Sequence, residues 1–263
     1  MITHIHNFFD KNYCQEIAQK IKNPETPRER RYGSIYQIGS TPVWTFMDNT
    51  HKSNGNGRDL LLKLQTQKQK EEWSKVQKIN ELFSDVYLHY AEQIKQHLNL
   101  DVVYFNKHAM PGFTIITNDL NIPYRRWHID NFQVTSAFWK VFIKDFTTFD
   151  DYFDYSVTLT LLLETPGSAT YDYYSNSYSK YAIADFACPE HKNLEGDMCS
   201  LGNDCHLNNH GYTRIEHQVG SLLITQDQYV HRIGPTRFDF IDKERIALQA
   251  FGSVKDNTIY LHW

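Results

Sequence analysis

From residue 102 onward the chain is written in short β-rich runs ended by turn residues, and this constrains its fold more than any other feature. "DVVYFNKHAMPGFTIITND", "WHIDNFQVTSAFWKVFI", "YSVTLTLLLETP", "ATYDYYSNSYSKYAIADF", "YTRIEHQVGSLLITQ", "YVHRIG" and "RIALQAFGSV" set β-branched and aromatic residues between Gly, Pro, Asn and Asp. Strands in series without intervening helical patterns point to a sandwich or barrel. No repeat of fixed period is present, which argues against a solenoid.

The first hundred residues have a different character. "FFDKNYCQEIAQKIKN" offers Asp10 as a helix N-cap and puts Tyr13, Ile17 and Ile21 on one stripe. "NPETPRERR" breaks that helix, "YGSIYQIGSTPVWTF" reads as one or two strands, and "NTHKSNGNGRD" reads as a polar loop. From Leu60 to about Leu98 there is no Pro or Gly, and Val76, Ile79, Leu82 or Phe83, Val86 and Tyr90 recur at helical spacing. A long amphipathic helix or a pair of helices is expected there. The chain is therefore expected to be mainly β with N-terminal helices (α+β). Residues 1–101 would form a helical part with one or two strands, packed on a β core spanning 102–263. A length of 263 residues suits one main domain with elaborations.

A net charge of −4 and a pI near 6.3 provide no general attraction to phosphate backbones, which argues against nucleic acid as the main partner. No apolar run approaches the length of a membrane span, and the start lacks the pattern of a secretory signal, so a cytoplasmic location is the expectation. In that compartment the four cysteines read as reduced thiols or metal ligands before they read as disulfides.

Four residues carry the chemistry. In "WHID", His128 and Asp130 lie two apart, and on a strand that spacing turns both to one face. Among 13 histidines one such pair is expected by chance, so the pair gains meaning only from its companions. His231, in "QYVHRIG", is a second histidine at the end of a strand pattern; alone it reads as a hydrogen-bonded sheet residue. Arg245 heads the apolar run "RIALQAF". A buried arginine there requires a carboxylate, either a neighbouring Asp or Glu or one that belongs to a ligand.

In this order, His128-Ile129-Asp130, then His231, then Arg245 fourteen positions on (231 to 245), the chain resembles the Fe(II)- and 2-oxoglutarate-dependent oxygenase superfamily. "MPGFTIITNDLNIPYRRWHID" is similar to the strand and loop leading into the family's first ligand pair, and "YSVTLTLLLETPGSATYDYY" to the strand pair that follows. The resemblance covers roughly residues 102–254. It implies a double-stranded β-helix (jelly-roll or cupin-like) core buttressed by helices. It also implies Fe(II) bound by His128, Asp130 and His231, with positions left open for 2-oxoglutarate and O2. The far carboxylate of 2-oxoglutarate would pair with Arg245, helped by the hydroxyl of Thr158 or of Thr160. Arg237 competes for that role, but it lies in the polar turn "GPTRFDFIDKE", which favours Arg245. A carboxylate at Asp130 fits a hydroxylase or another oxidation better than a halogenase, which has a small residue there.

The long gap between His128 and His231 implies an insertion at about 170–215. It holds Cys188, His191, Cys199, Cys205, His206 and His210, whose loose spacing reads as a loop with reduced thiols, with structural zinc as the alternative. Arg125 and Arg126 read first as solvated residues and second as a pocket-rim grip on a carboxylate or phosphate. Tyr104, Phe113 and Trp139 read as core. The expected partner is a small anionic or zwitterionic substrate, such as an amino acid or a metabolite derived from one. A peptide or protein side chain or a nucleobase is the alternative substrate, and a non-catalytic metal-binding β-barrel module is the alternative from a different class. The sequence carries no signal for an oligomeric state.

Overall fold

A computed structural model describes residues 2–32, 35–38, 67–104, 110–117, 155–165, 169–173, 212–226, 231–233 and 244–262. The chain opens with β1 (Ile2–Ile5) and α1 (Lys11–Lys22), followed by β2 (Glu29–Tyr32) and β3 (Ile35–Ile38). Two helices come next, α2 (Gln67–Leu82) and α3 (Ser84–Leu98). The remaining strands are β4 (Asp101–Tyr104), β5 (Gly112–Thr117), β6 (Tyr155–Glu164), β7 (Ala169–Tyr173), β8 (Thr213–His217), β9 (Leu222–Gln226), β10 (His231–Ile233), β11 (Glu244–Lys255) and β12 (Thr258–His262).

Local chemistry explains several of the boundaries. Asp10 caps α1 through its Oδ1, which accepts from the backbone N–H of Asn12 at 2.8 Å and of Tyr13 at 3.4 Å. The buried stripe of α1 is Cys14, Ile17, Ala18 and Ile21, with Tyr13 only half-buried. The expected long helix is a pair, broken at Phe83 (φ −110°, ψ 19°). Phe83 is fully buried and its ring lies 4.5 Å from that of Phe113, whereas Leu82 is left exposed. Asn99, left-handed at φ 56°, ends α3, and Asp256 and Asn257, both at positive φ, form the two-residue hairpin between β11 and β12. No described helix is long and apolar enough to cross a membrane.

Among the described residues the strands form a nine-stranded sheet, with order β1-β9-β6-β11-β5-β3-β2 and with β12 and β4 attached through β11, and a three-stranded sheet of order β10-β7-β8. Consecutive strands cross between them: β6 lies in the large sheet, β7 and β8 in the small one, β9 in the large, β10 in the small and β11 in the large. This alternation of antiparallel strands between two sheets is a double-stranded β-helix.

The helices cover one face of the large sheet. Leu159, Leu161 and Leu163 of β6 and Ile246, Leu248 and Ala250 of β11 share a hydrophobic core with Ile17 and Ile21 of α1 and with Tyr87, Tyr90 and Ile94 of α3. Because successive strand residues alternate, Thr158, Thr160, Arg245, Ala247 and Gln249 occupy the opposite face. A bulge in the β11–β6 pairing falls between Ile246 and Ala247, beside Arg245.

Candidate active site

The small sheet also has two faces. Antiparallel partners share a face, so the pairs Ala169–His217, Tyr171–Ile215 and Tyr173–His231 place both histidines on one side, and Asp172, Arg214 and Arg232 on the other. His217 is the anchor for orientation, because its Nε2 donates to the carbonyl of Ser221 (3.1 Å), just before β9, and it feels the charge of Arg245. The histidine face therefore looks across at the Thr160 and Arg245 face of the large sheet, and the space between is the candidate site.

Arg245 is 1% exposed, and none of its three guanidinium nitrogens has a hydrogen-bond partner among the described residues. The nearest carboxylates in sequence and register are committed to the helix side, Glu244 to Arg28 at 2.8 Å and Glu164 to Lys22. Burial pushes the arginine down to about 10, which leaves it charged near neutral pH. A desolvated guanidinium without a counter-charge is strongly unfavourable. The planar donor fork fits a carboxylate presented from the space between the sheets.

His231 is buried, and its ring stacks on Tyr171 with centroids 5.2 Å apart at an interplanar angle of 19°. It stands four residues along β7 from the level of His217, the difference between partners Ala169 and Tyr173, or roughly 13 Å of strand. Thr160 faces Gln249, whose Nε2 donates to the threonine hydroxyl at 3.5 Å; Gln249 Oε1 in turn accepts from the hydroxyl of Thr114. The Thr158 hydroxyl is buried without a partner among the described residues and lies opposite Phe251, six residues along β11 from Arg245 (245 to 251), or roughly 20 Å.

His128 and Asp130 lie outside the described residues, as do Arg125, Arg126, Trp139, Arg237 and the cluster from Cys188 to His210. Among the described residues no three His, Cys, Asp or Glu side chains are grouped to hold a metal. Of the two described aromatics expected in the core, Phe113 is fully buried, and Tyr104 is half-buried and donates to the carbonyl of Tyr87 at 2.7 Å.

The sequence reading passed over His217 and Gln249. A signal was present, since Ile215 and His217, like Arg245, Ala247 and Gln249, lie two apart on strands and so share a face. Burial first, and then the Arg245 charge, push His217 from 6.5 down to about 3. Above pH 6.5 this histidine is neutral both folded and unfolded; below it the unfolded chain gains a proton that the folded chain refuses. Stability should therefore fall as the pH drops from 6.5 toward 3, by about 2–3 kcal/mol at two pH units below the upper limit. Thermal unfolding of wild type and His217→Gln between about pH 7 and 4.5 checks this. The substitution should flatten the decline, and parallel declines would assign the acid sensitivity to other groups.

No protein-family model and no curated protein matches the chain. Solved structures similar to it include an N-substituted L-amino acid dioxygenase from Burkholderia ambifaria AMMD (11% identity, 95% of this chain and 91% of that chain covered, TM-score 0.47). Another is HygX from Streptomyces hygroscopicus with nickel and 2-oxoglutarate bound (10% identity, 97% and 83% covered, TM-score 0.47). A third is the non-heme alpha ketoglutarate dependent carbocyclase SnoK from nogalamycin biosynthesis (10% identity, 96% and 79% covered, TM-score 0.45).

Proposed function

We propose that the chain is an Fe(II)- and 2-oxoglutarate-dependent oxygenase that hydroxylates a small anionic or zwitterionic molecule, with amino acids and metabolites derived from them as the first candidates. The observation that carries this reading is Arg245: a buried guanidinium, without a partner among the described residues, turned toward the space between the two sheets of a double-stranded β-helix. The distal carboxylate of 2-oxoglutarate would supply the missing counter-charge. His217, kept neutral beside it, adds no second positive charge, and its Nε2–H is already committed to Ser221. Of the two threonines named from sequence, Thr160 is nearer Arg245 along the sheet, so it is the better candidate for a supporting hydroxyl.

His231 would hold the metal together with His128 and Asp130. Its distance along the sheet from the Arg245 end suits a five-carbon dicarboxylate that spans from the guanidinium to the metal. When bound, Fe(II) and 2-oxoglutarate supply the oxidation: O2 inserts one oxygen into a substrate C–H bond and the other into succinate, with loss of CO2. The chain's own part is to orient the co-substrate through Arg245 and to keep solvent out with the apolar walls around Ala247 and Tyr171. An acidic chain suits a small substrate better than a nucleic acid, and a cytoplasmic site of action goes with this reading.

The test is succinate release by the Fe(II)-loaded protein across amino acids, small peptides, nucleosides and oligonucleotides, with a mass gain of one oxygen sought in each responding compound. An amino-acid-like compound should respond, and His231→Ala and His128→Ala should each remove turnover while the circular dichroism of the fold is retained. Turnover coupled only to oligonucleotides or intact proteins would refute the small-molecule reading. No metal-dependent consumption of 2-oxoglutarate under any condition would leave a binding module.

A further inference from the structure

On the face of β7 turned away from His217 and His231, Asp172 is completely buried. Two arginines hold its carboxylate. Arg232 Nε donates to Oδ2 at 2.9 Å, Arg214 Nε to Oδ1 at 2.7 Å, and Arg214 Nη2 to Oδ2 at 3.0 Å. Arg232 is itself buried, whereas the Arg214 side chain is 41% exposed. The two guanidinium groups also lie 5.2 and 5.5 Å from the ring centre of Tyr212.

Arg232 directly follows His231 in β10, whose described residues all pair with β7. Side chains alternate along β10, so the register against β7 decides which of the two residues faces inward. A slip of one residue would exchange the faces of His231 and Arg232. A buried ion pair opposes that slip, because turning Arg232 inward would strip two desolvated charges of each other. From the inner face, the stacking of Tyr171 on His231 fixes the imidazole itself. β7 thus grips β10 on both faces.

We infer that Asp172 is a positioning residue for His231: through Arg232 it locks the register of β10, so that the imidazole is presented to the space between the sheets. This rests on the proposed role of His231 as a metal ligand. Arg214 provides an internal control, since it binds the same carboxylate from β8, a strand without a proposed ligand.

The experiment measures Mn(II) affinity and the melting temperature of the metal-free full chain for wild type, His231→Ala, Asp172→Asn, Arg232→Gln, Arg232→Lys and Arg214→Gln. Asp172→Asn and Arg232→Gln should weaken Mn(II) binding roughly tenfold or more. Arg232→Lys should recover part of that loss by restoring the charge. Arg214→Gln should lower the melting temperature while leaving affinity within about twofold. Wild-type affinity in Asp172→Asn, or equal losses in Arg214→Gln and Arg232→Gln, would reduce the carboxylate to a purely structural role. Should Asp172→Asn fail to fold, the comparison of Arg232→Gln with Arg232→Lys and Arg214→Gln decides. Binding lost in His231→Ala but kept in both Asp172→Asn and Arg232→Gln overturns the positioning role alone. Binding indifferent to His231→Ala overturns the metal site and the positioning role with it.

Discussion

Replacing Arg245 by methionine is expected to raise the 2-oxoglutarate concentration for half-maximal turnover by roughly 100-fold, the loss of about 3 kcal/mol from one buried, charge-assisted carboxylate contact. The same substitution should leave the metal-free protein at least as stable as the parent. Its ordinary structural counterpart would behave oppositely: an arginine that pairs with a protein carboxylate destabilises the fold when removed, because a buried charge is orphaned. Here the charge has no partner among the described residues, and methionine fills comparable volume without desolvated nitrogens. The two measurements are the 2-oxoglutarate dependence of succinate release and the melting temperature of the metal-free protein. A large fall in melting temperature with unchanged 2-oxoglutarate dependence would show that Arg245 serves the fold and not a ligand. If Arg237→Gln raises the requirement instead, the other arginine holds the co-substrate.

The second large effect concerns Gly220, in the turn that carries the chain from β8 in the small sheet to β9 in the large one. The turn is closed by the Ser221 N–H donating to the Gln218 carbonyl at 3.0 Å, and Gly220 sits in it at φ +81°. A Cβ there would lie 2.3 Å from the carbonyl oxygen of Phe9. That backbone cannot retreat easily, since the Phe9 N–H donates to the Gly220 carbonyl at 2.9 Å and the Gly220 N–H to the Leu162 carbonyl at 2.8 Å. Gly220→Ala should therefore cost about 3 kcal/mol or more, a fall in melting temperature on the order of 10 °C. Because Ser221 also accepts from His217, the damage should spread to the Arg245 end of the site. Thermal unfolding checks the first effect, and 2-oxoglutarate affinity of the folded fraction checks the second. A variant within 1 kcal/mol of wild type would mean that the turn relaxes, at about 2–4 °C per kcal/mol for a chain of this size.

Where the sequence spoke clearly, the signal was local. The Asp10 cap and the spacing of Ile17 and Ile21 are properties of one helix, and α1 forms where they require it. The choice between Tyr13 and Cys14, or between Leu82 and Phe83, was not legible, because neighbours at helical spacing differ only in what another element presents to them. Cys14 is fully buried and would lie 3.8 Å from a Cβ at Gly220, and Phe83 meets Phe113 of β5. The strands β1 and β12 were missed for the same reason: each is five residues or fewer and is held by pairing with β9, or with β11 and β4, rather than by its own propensity.

The candidate site divides along the same line. Alternation of apolar residues around Arg245 was enough to expect a buried arginine at the head of a strand, because a period of two depends on one strand alone. By itself, then, the sequence determined a mainly β chain with buttressing helices and the residue types of the proposed metal and carboxylate site. Only the tertiary structure decided that Glu164 and Glu244 turn to the helix side and leave Arg245 without a partner among the described residues, that His217 joins it from the other sheet, and that Asp172 grips β10 from behind. Those outcomes depend on which distant strands become neighbours, and whether a buried charge is satisfied is settled by every group around it, not by the residues beside it in the chain.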